Sequence, residues 1–122
     1  MKVAVTASNN NGLEAKVDSR FGRAPYFAIV DLDKMEAEFI NNSATGAASG
    51  AGVMAAQTVV DQGVDALISG NFGPKAFSAL KAANLKLYSF TGGTVREAVE
   101  AYKNGQLEEL SNPTNRAHSG LR

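Results

Sequence analysis

Apolar runs with strand periodicity give way to helical stripes partway along this chain. Val3-Ala4-Val5 lies inside Lys2–Thr6 as a short buried strand. Ala7-Ser8-Asn9-Asn10-Asn11-Gly12 then reads as a polar loop, because Asn and Gly tolerate close turns and positive φ. Tyr26 to Val30 is aromatic and β-branched enough for a second strand. Asp31-Leu32-Asp33-Lys34-Met35 can reverse the chain, and Glu38-Phe39-Ile40 supplies a third strand. Such close spacing predicts an antiparallel meander.

Beyond Gly52 the period becomes helical. Val53, Met54, Ala56 and Val60 fall on or near one helical face, which predicts their burial. Ala66-Leu67-Ile68 is a buried strand closed by Ser69-Gly70. Pro74 opens a second helix that would bury Phe77 and Leu80, and Leu85-Lys86-Leu87-Tyr88 makes a fifth strand. Thr94-Val95-Arg96-Glu97 has capping-box spacing. Val95, Ala98, Val99 and Tyr102 form the stripe of a third helix, which Gly105 ends. The order βββαβαβα predicts an α/β fold: a mixed five-stranded sheet with helices packed on its faces. About residues 1–110 would form a single domain. The polar stretch Ser111–Arg122 contains Pro113 and no periodicity, which predicts a mobile tail.

That order has a consequence for chemistry. If strand 2 runs antiparallel to strand 1, strands 3, 4 and 5 share the direction of strand 1. The segments Asn9–Pro25, Asn41–Gly52, Gly70-Asn71-Phe72-Gly73 and Thr91-Gly92-Gly93-Thr94 then gather at one edge. Three of them lead into helix N-termini, where open amides and the helix dipole favour negative charge. Open α/β sheets also bind ligands outside the carboxyl ends of their strands. Arg20-Phe21-Gly22-Arg23 overhangs the same edge and places two guanidinium groups beside a ring and a glycine. The candidate site is an anion cradle. Arg20 and Arg23 would offset charge, and Gly22, Gly50, Gly52, Gly70, Gly73, Gly92, Gly93 and Thr94 would bring backbone close. Phe21 and Phe72 would exclude water. The plainer reading makes the glycines turn devices, pairs the arginines with Asp18 and Asp31, and puts Phe21 partly in the core.

Composition narrows the chemistry. Among 122 residues, twelve Lys and Arg balance twelve Asp and Glu, which gives no net-charge case for nucleic acid or an anionic membrane. There is no cysteine, which excludes disulfides, zinc–cysteine sites and thiolate-held iron–sulfur clusters. No run reaches the roughly 18 apolar residues of a membrane span, and no signal-peptide core precedes the first strand. A cytoplasmic location is expected.

Several motifs together resemble the dinitrogenase iron–molybdenum cofactor biosynthesis family of the NifX/NafY type. They are Asp18-Ser19-Arg20-Phe21-Gly22-Arg23-Ala24-Pro25-Tyr26-Phe27, Gly50-Ala51-Gly52, Gly63-Val64-Asp65-Ala66-Leu67-Ile68, Gly70-Asn71-Phe72-Gly73-Pro74-Lys75-Ala76-Phe77 and Gly92-Gly93-Thr94-Val95-Arg96-Glu97-Ala98. The resemblance runs collinearly over about residues 1–110. It implies a ribonuclease-H-like fold and non-catalytic binding, carriage or storage of an anionic metal–sulfide cluster. Many members place histidines before the Gly-x-Gly segment, whereas here Asn41–Ser49 contains neither histidine nor cysteine. In that respect the chain is similar to the orange-protein branch, which carries a molybdenum–copper sulfide cluster without covalent attachment. A molybdenum–copper cluster is therefore expected over an iron–molybdenum one, and no nucleotide. The resemblance also implies a MinD-type ATPase or a cofactor-assembly protein as partner; a monomer is expected.

Other chemistries fit poorly. Gly50-Ala51-Gly52-Val53-Met54-Ala55 fits G-x-G-x-x-A, but nine residues, Asn41–Ser49, separate it from the preceding strand. No Walker-type phosphate loop is present. Two-metal nuclease chemistry needs converging carboxylates, and neither the first strand nor the end of the fourth carries one. His118, the only histidine, has no base or nucleophile partner fixed by sequence.

Overall fold

In the computed structural model, which describes residues 1–46 and 50–112, the expected order of elements is present. Strands β1 (Lys2–Ala7), β2 (Tyr26–Asp31) and β3 (Glu36–Asn41) precede helix α1 (Ala51–Val60). They are followed by β4 (Ala66–Ser69), α2 (Pro74–Ala82), β5 (Lys86–Ser89) and α3 (Val95–Lys103). The strands form one five-stranded sheet in the order β3-β2-β1-β4-β5. β2 is antiparallel to both β1 and β3, while β4 is parallel to β1 and β5. This is the mixed sheet that the element order predicts, in the ribonuclease-H-like arrangement that the resemblance implies.

Burial follows position in the sheet. β1 is central and every residue from Val3 to Ala7 is buried, as expected of a strand covered on both faces. Ala4, Phe27, Ile29, Leu67 and Leu87 point to the face that carries α1 and α2. Val3, Val5, Ala28, Val30 and Ile68 point to the other, where α3 packs through Val95, Ala98 and Val99. β3 lies at an edge, and its exposed Glu36 and Glu38 suit that place.

One expected helix face is corrected. α1 buries Ala51, Ala55, Ala56 and Val59, whereas Val53 is 45% and Met54 48% exposed, and Val60 is only partly covered. The reason is close packing. A methyl group added at Gly52 would stand 3.2 Å from the Ala76 Cβ, so α1 meets α2 and the sheet along its smallest residues. Larger apolar side chains are left outside.

α3 begins with the expected capping box. Thr94 Oγ1 accepts from Glu97 N at 3.2 Å, and Thr94 N donates to Glu97 Oε1 at 2.8 Å. Thr94→Ala should cost about 1 kcal/mol, seen as a lower urea midpoint with unchanged far-ultraviolet dichroism. Among the described residues, no helix is long and apolar enough to cross a membrane. The expected tail beyond Asn112, His118 included, lies outside the described residues.

Candidate functional site

The carboxyl ends of β1, β3, β4 and β5 share one edge, as their parallel directions require. The segment Asp18–Pro25 lies across it. Polar side chains that the core would otherwise exclude hold this segment down. Among the described residues the buried polar ones are Thr6, Asp18, Asn42 and Ser69, and each is part of this anchorage or next to it. Thr6 Oγ1 donates to Asp18 O at 2.8 Å and lies 3.1 Å from Ser69 Oγ. Gly70 N donates to the same Asp18 carbonyl at 3.4 Å, and Asn71 Nδ2 donates to Ser19 O at 3.0 Å.

Asn42 holds the other end. Its side-chain amide donates to Gly22 O at 3.0 Å and Ala24 O at 2.8 Å, the carbonyls on either side of Arg23. Its Oδ1 accepts from Ala44 N at 3.1 Å, and its own amide donates to Pro25 O at 3.0 Å. One side chain, only 3% exposed, therefore ties the arginine loop to the loop that leads into α1. Beneath them Phe21 stacks between Phe27 and Phe72, with ring centroids 5.6 Å apart in both pairs. Phe21 and Phe72 are thus buried beneath the edge.

Arg20 is held by Asp18. The Asp18 carboxylate accepts from Arg20 N at 2.8 Å, Nε at 3.1 Å and Nη2 at 3.2 Å, and from Ser8 Oγ at 3.0 Å. Burial pushes this carboxyl up, but the hydrogen bonds from Arg20 and Ser8 outweigh it and hold it below the ordinary carboxylate value. A folded-state value below the unfolded one stabilises the fold above about pH 4, and that contribution fades as pH falls through the folded value. Urea midpoints measured against pH should therefore drop more steeply below about pH 4 for the native chain than for Asp18→Asn. The pair also fixes Arg20 in place, with the guanidinium still largely exposed.

The glycines divide by role. A methyl group at Gly22 would stand 3.0 Å from Gly52 N, and one at Gly70 would stand 2.5 Å from Ser19 Cα. Gly22 and Gly70 thus let the arginine loop approach α1 and the end of β4, while Gly52 lets α1 approach α2. Gly93 sits against the Phe90 ring and the Glu97 carboxylate. By contrast, a side chain at Gly50, at φ +75, or at Gly92 would have no atom of the other described residues within 4 Å, chain neighbours aside.

The three helix starts also differ. Gly50 caps α1 and Gly73 caps α2; among the described residues neither cap makes a side-chain hydrogen bond to its helix, and neither first turn carries an acid. These two N-termini are neighbours through Gly52 and Ala76, and exposed Lys75 lies on the first turn of α2. At α3 the Thr94–Glu97 box fills the terminus, Val95 N donates to Ala15 O at 2.8 Å, and a carboxylate sits in the first turn. The edge thus brings Arg20, Gly22, Gly52 and Gly70 together with two open helix starts. Gly92, Gly93 and Thr94 stand at a closed one on the other face of the sheet.

Chemically, open helix starts beside a guanidinium are an arrangement that can accept an anion. Among the described residues, no group of three His, Cys, Asp or Glu side chains could hold a metal ion. Asn42, Asn71 and Lys75 escaped the sequence reading. Asn42 and Asn71 lie in loops without periodicity, and nothing in their spacing signals a partner some twenty to fifty residues away in the chain.

Comparison with known proteins agrees with the fold and the motifs. The family model described as dinitrogenase iron-molybdenum cofactor matches residues 1–105. The apo form of the orange protein of Desulfovibrio gigas superposes with a TM-score of 0.88 at 42% identity, covering 92% of this chain and 94% of that one. A candidate NifB protein from Thermotoga gives a TM-score of 0.79 at 41% identity, covering 91% and 94%. An uncharacterized protein of Methanocaldococcus jannaschii is 31% identical over 113 residues, 90% of this chain and 92% of that protein. The chain belongs to the dinitrogenase iron–molybdenum cofactor family.

Proposed function

We propose that this protein binds and carries an anionic metal–sulfide cluster without acting on it, as a cytoplasmic monomer. The observation that carries the reading is the pair of adjacent, glycine-capped, acid-free helix starts beside an anchored arginine loop. Family membership and the likeness to the orange protein support a cofactor-binding or carrier role. A molybdenum–copper cluster is favoured over an iron–molybdenum one, because the described residues provide neither thiolate nor imidazole for iron.

Each group has a physical task. The first amides of α1, and those of Lys75 and Ala76 that follow Pro74 in α2, donate to terminal sulfides or oxides. Arg20 and Arg23 offset the charge of the cargo, and Asp18 keeps Arg20 from collapsing into the site. Asn42 sets the loop that carries Arg23. The aromatic floor of Phe21, Phe27 and Phe72 gives the loops a rigid seat.

The test is to mix the purified protein with tetrathiomolybdate and a copper salt, desalt, and measure visible absorbance and metal content. The native chain should keep colour and metal. The double variant Arg20→Ala, Arg23→Ala should lose affinity about tenfold or more, equivalent to about 1.4 kcal/mol. A native chain that comes off the column colourless and metal-free contradicts the reading.

Exposed Val53 and Met54 beside the cradle favour a second reading, a docking module that regulates a MinD-type ATPase without holding cargo. Under it, the double arginine variant abolishes pull-down of the partner while native metal content stays negligible. A MinD-type or cofactor-assembly partner is equally compatible with cargo delivery.

A further inference from the structure

Asparagine is followed by glycine at two places in the chain, Asn11-Gly12 and Asn104-Gly105. Such a step can react with itself. The backbone nitrogen after Asn can attack the Asn side-chain carbonyl carbon and close a five-membered ring, and glycine puts no side chain in the way. Both steps are exposed, so access to water does not separate them. Backbone bonding does.

Asn104 is the C-cap of α3, and its amide donates to Glu100 O at 3.0 Å. Gly105 N, the nucleophile of that step, donates to Tyr102 O at 3.1 Å, and Gln106 N closes the turn on Ala101 O at 2.9 Å. Ring closure there requires the helix end to open first. Asn11 is placed differently. Its side chain makes no capping bond to the 3₁₀ turn Gly12–Glu14 that it precedes, and among the described residues no group accepts from Gly12 N. The Asn11 amide donates to Asn9 Oδ1 at 3.0 Å, on the far side of the torsion that matters. From φ −90 and ψ 46 the backbone has to turn about ψ to bring Gly12 N onto the side chain, and no hydrogen bond of that nitrogen has to break.

From this difference we infer that Asn11 is a self-modification site of the folded chain, while Asn104 is a protected one. Gly12 N forms a bond to Asn11 Cγ and the Cγ–Nδ2 bond breaks. The proton lost by Gly12 N leaves with the amide nitrogen as ammonia. Water then opens the cyclic imide at either carbonyl and gives aspartate or isoaspartate. No electrons are exchanged; water enters and ammonia leaves. The product carries a new negative charge on the loop that follows β1, whose Ser8 bonds the Asp18 carboxylate. The consequence for cargo rests on the carrier reading: a carboxylate at this edge opposes an anion, by a few-fold in affinity at low salt.

The test is to hold the folded chain in mildly alkaline buffer and map it at intervals by peptide mass analysis with isoaspartate detection. Conversion should appear at Asn11 while Asn104 stays an amide, and in concentrated urea both should convert at comparable rates. Asn11→Gln should abolish conversion at that position, because the longer side chain would need a six-membered ring. A folded chain that converts at Asn104 as fast as at Asn11 overturns the inference. So does one that converts at neither in the time the urea-treated chain converts at both. Tetrathiomolybdate affinity is then compared for native chain and Asn11→Gln, both incubated equally. The native chain should lose affinity a few-fold and the glutamine variant should not. Equal affinities with Asn11 converted overturn the effect on cargo alone. A fresh native chain that binds no tetrathiomolybdate contradicts the carrier reading, and conversion confined to Asn11 still upholds the modification site.

Discussion

Gly70→Ala should destabilise the protein by about 3 kcal/mol or more and loosen the arginine loop along with it. The added methyl would stand 2.5 Å from Ser19 Cα, 2.9 Å from Ser19 O and 3.0 Å from Ser19 C. All three are backbone atoms of a segment pinned from several sides, so no side chain can rotate away. Relief requires that either β4 or the loop moves. The loop carries the weaker local bonds: the Gly70 N to Asp18 O contact is already long at 3.4 Å, and Asn71 reaches Ser19 O with a single hydrogen bond. The loop is thus expected to lift, taking Arg20 off the edge. Urea denaturation should show the loss of stability, and cluster retention at low temperature, where the variant is folded, should fall as well. Unchanged stability would mean that β4 and the loop are not in the close contact described.

Asn42→Ala should cost about 2–4 kcal/mol. The substitution leaves Gly22 O, Ala24 O and Ala44 N without the partners Asn42 provides, in a place where water enters poorly. Asp at this position should be no better, since a carboxylate would face two carbonyl oxygens with no proton to offer. What separates this prediction from ordinary loss of packing is where the damage appears. Amide exchange should rise in residues 20–24 and around Ala44 before it rises in β1 or β4. Retention of the cluster should drop with it, because Arg23 sits between the two carbonyls that Asn42 holds. Uniform protection loss across the sheet would instead make Asn42 a general core residue.

The sheet was legible because its strands are short apolar runs separated by turn chemistry, and because the Thr94–Glu97 box has a fixed spacing. From strand directions alone the shared edge followed. The buried face of α1 was not legible, since hydropathy weights Val53, Met54 and Val60 above alanine. Close approach to α2 instead selects Ala51, Ala55 and Ala56. Motif position alone did not separate two kinds of glycine, those that let protein backbone approach protein backbone and those that face open space. Nor did it show that the start of α3 is filled, which depends on where Ala15 and Glu97 lie. The Asp18–Arg20 pairing was one reading of the charge pattern. Its three hydrogen bonds and the burial of Asp18 required the loop to be folded.

Amide chemical-shift mapping during titration with tetrathiomolybdate, with and without copper, tests the location and nature of the site together. Perturbations should gather in residues 20–24, at the first turn of α1 from Gly50, and at residues 71–76. They should weaken as salt is raised, because the grip is electrostatic. Perturbations centred on the first turn of α3, or none with the ligand in large excess over protein, would contradict an anion cradle at this edge.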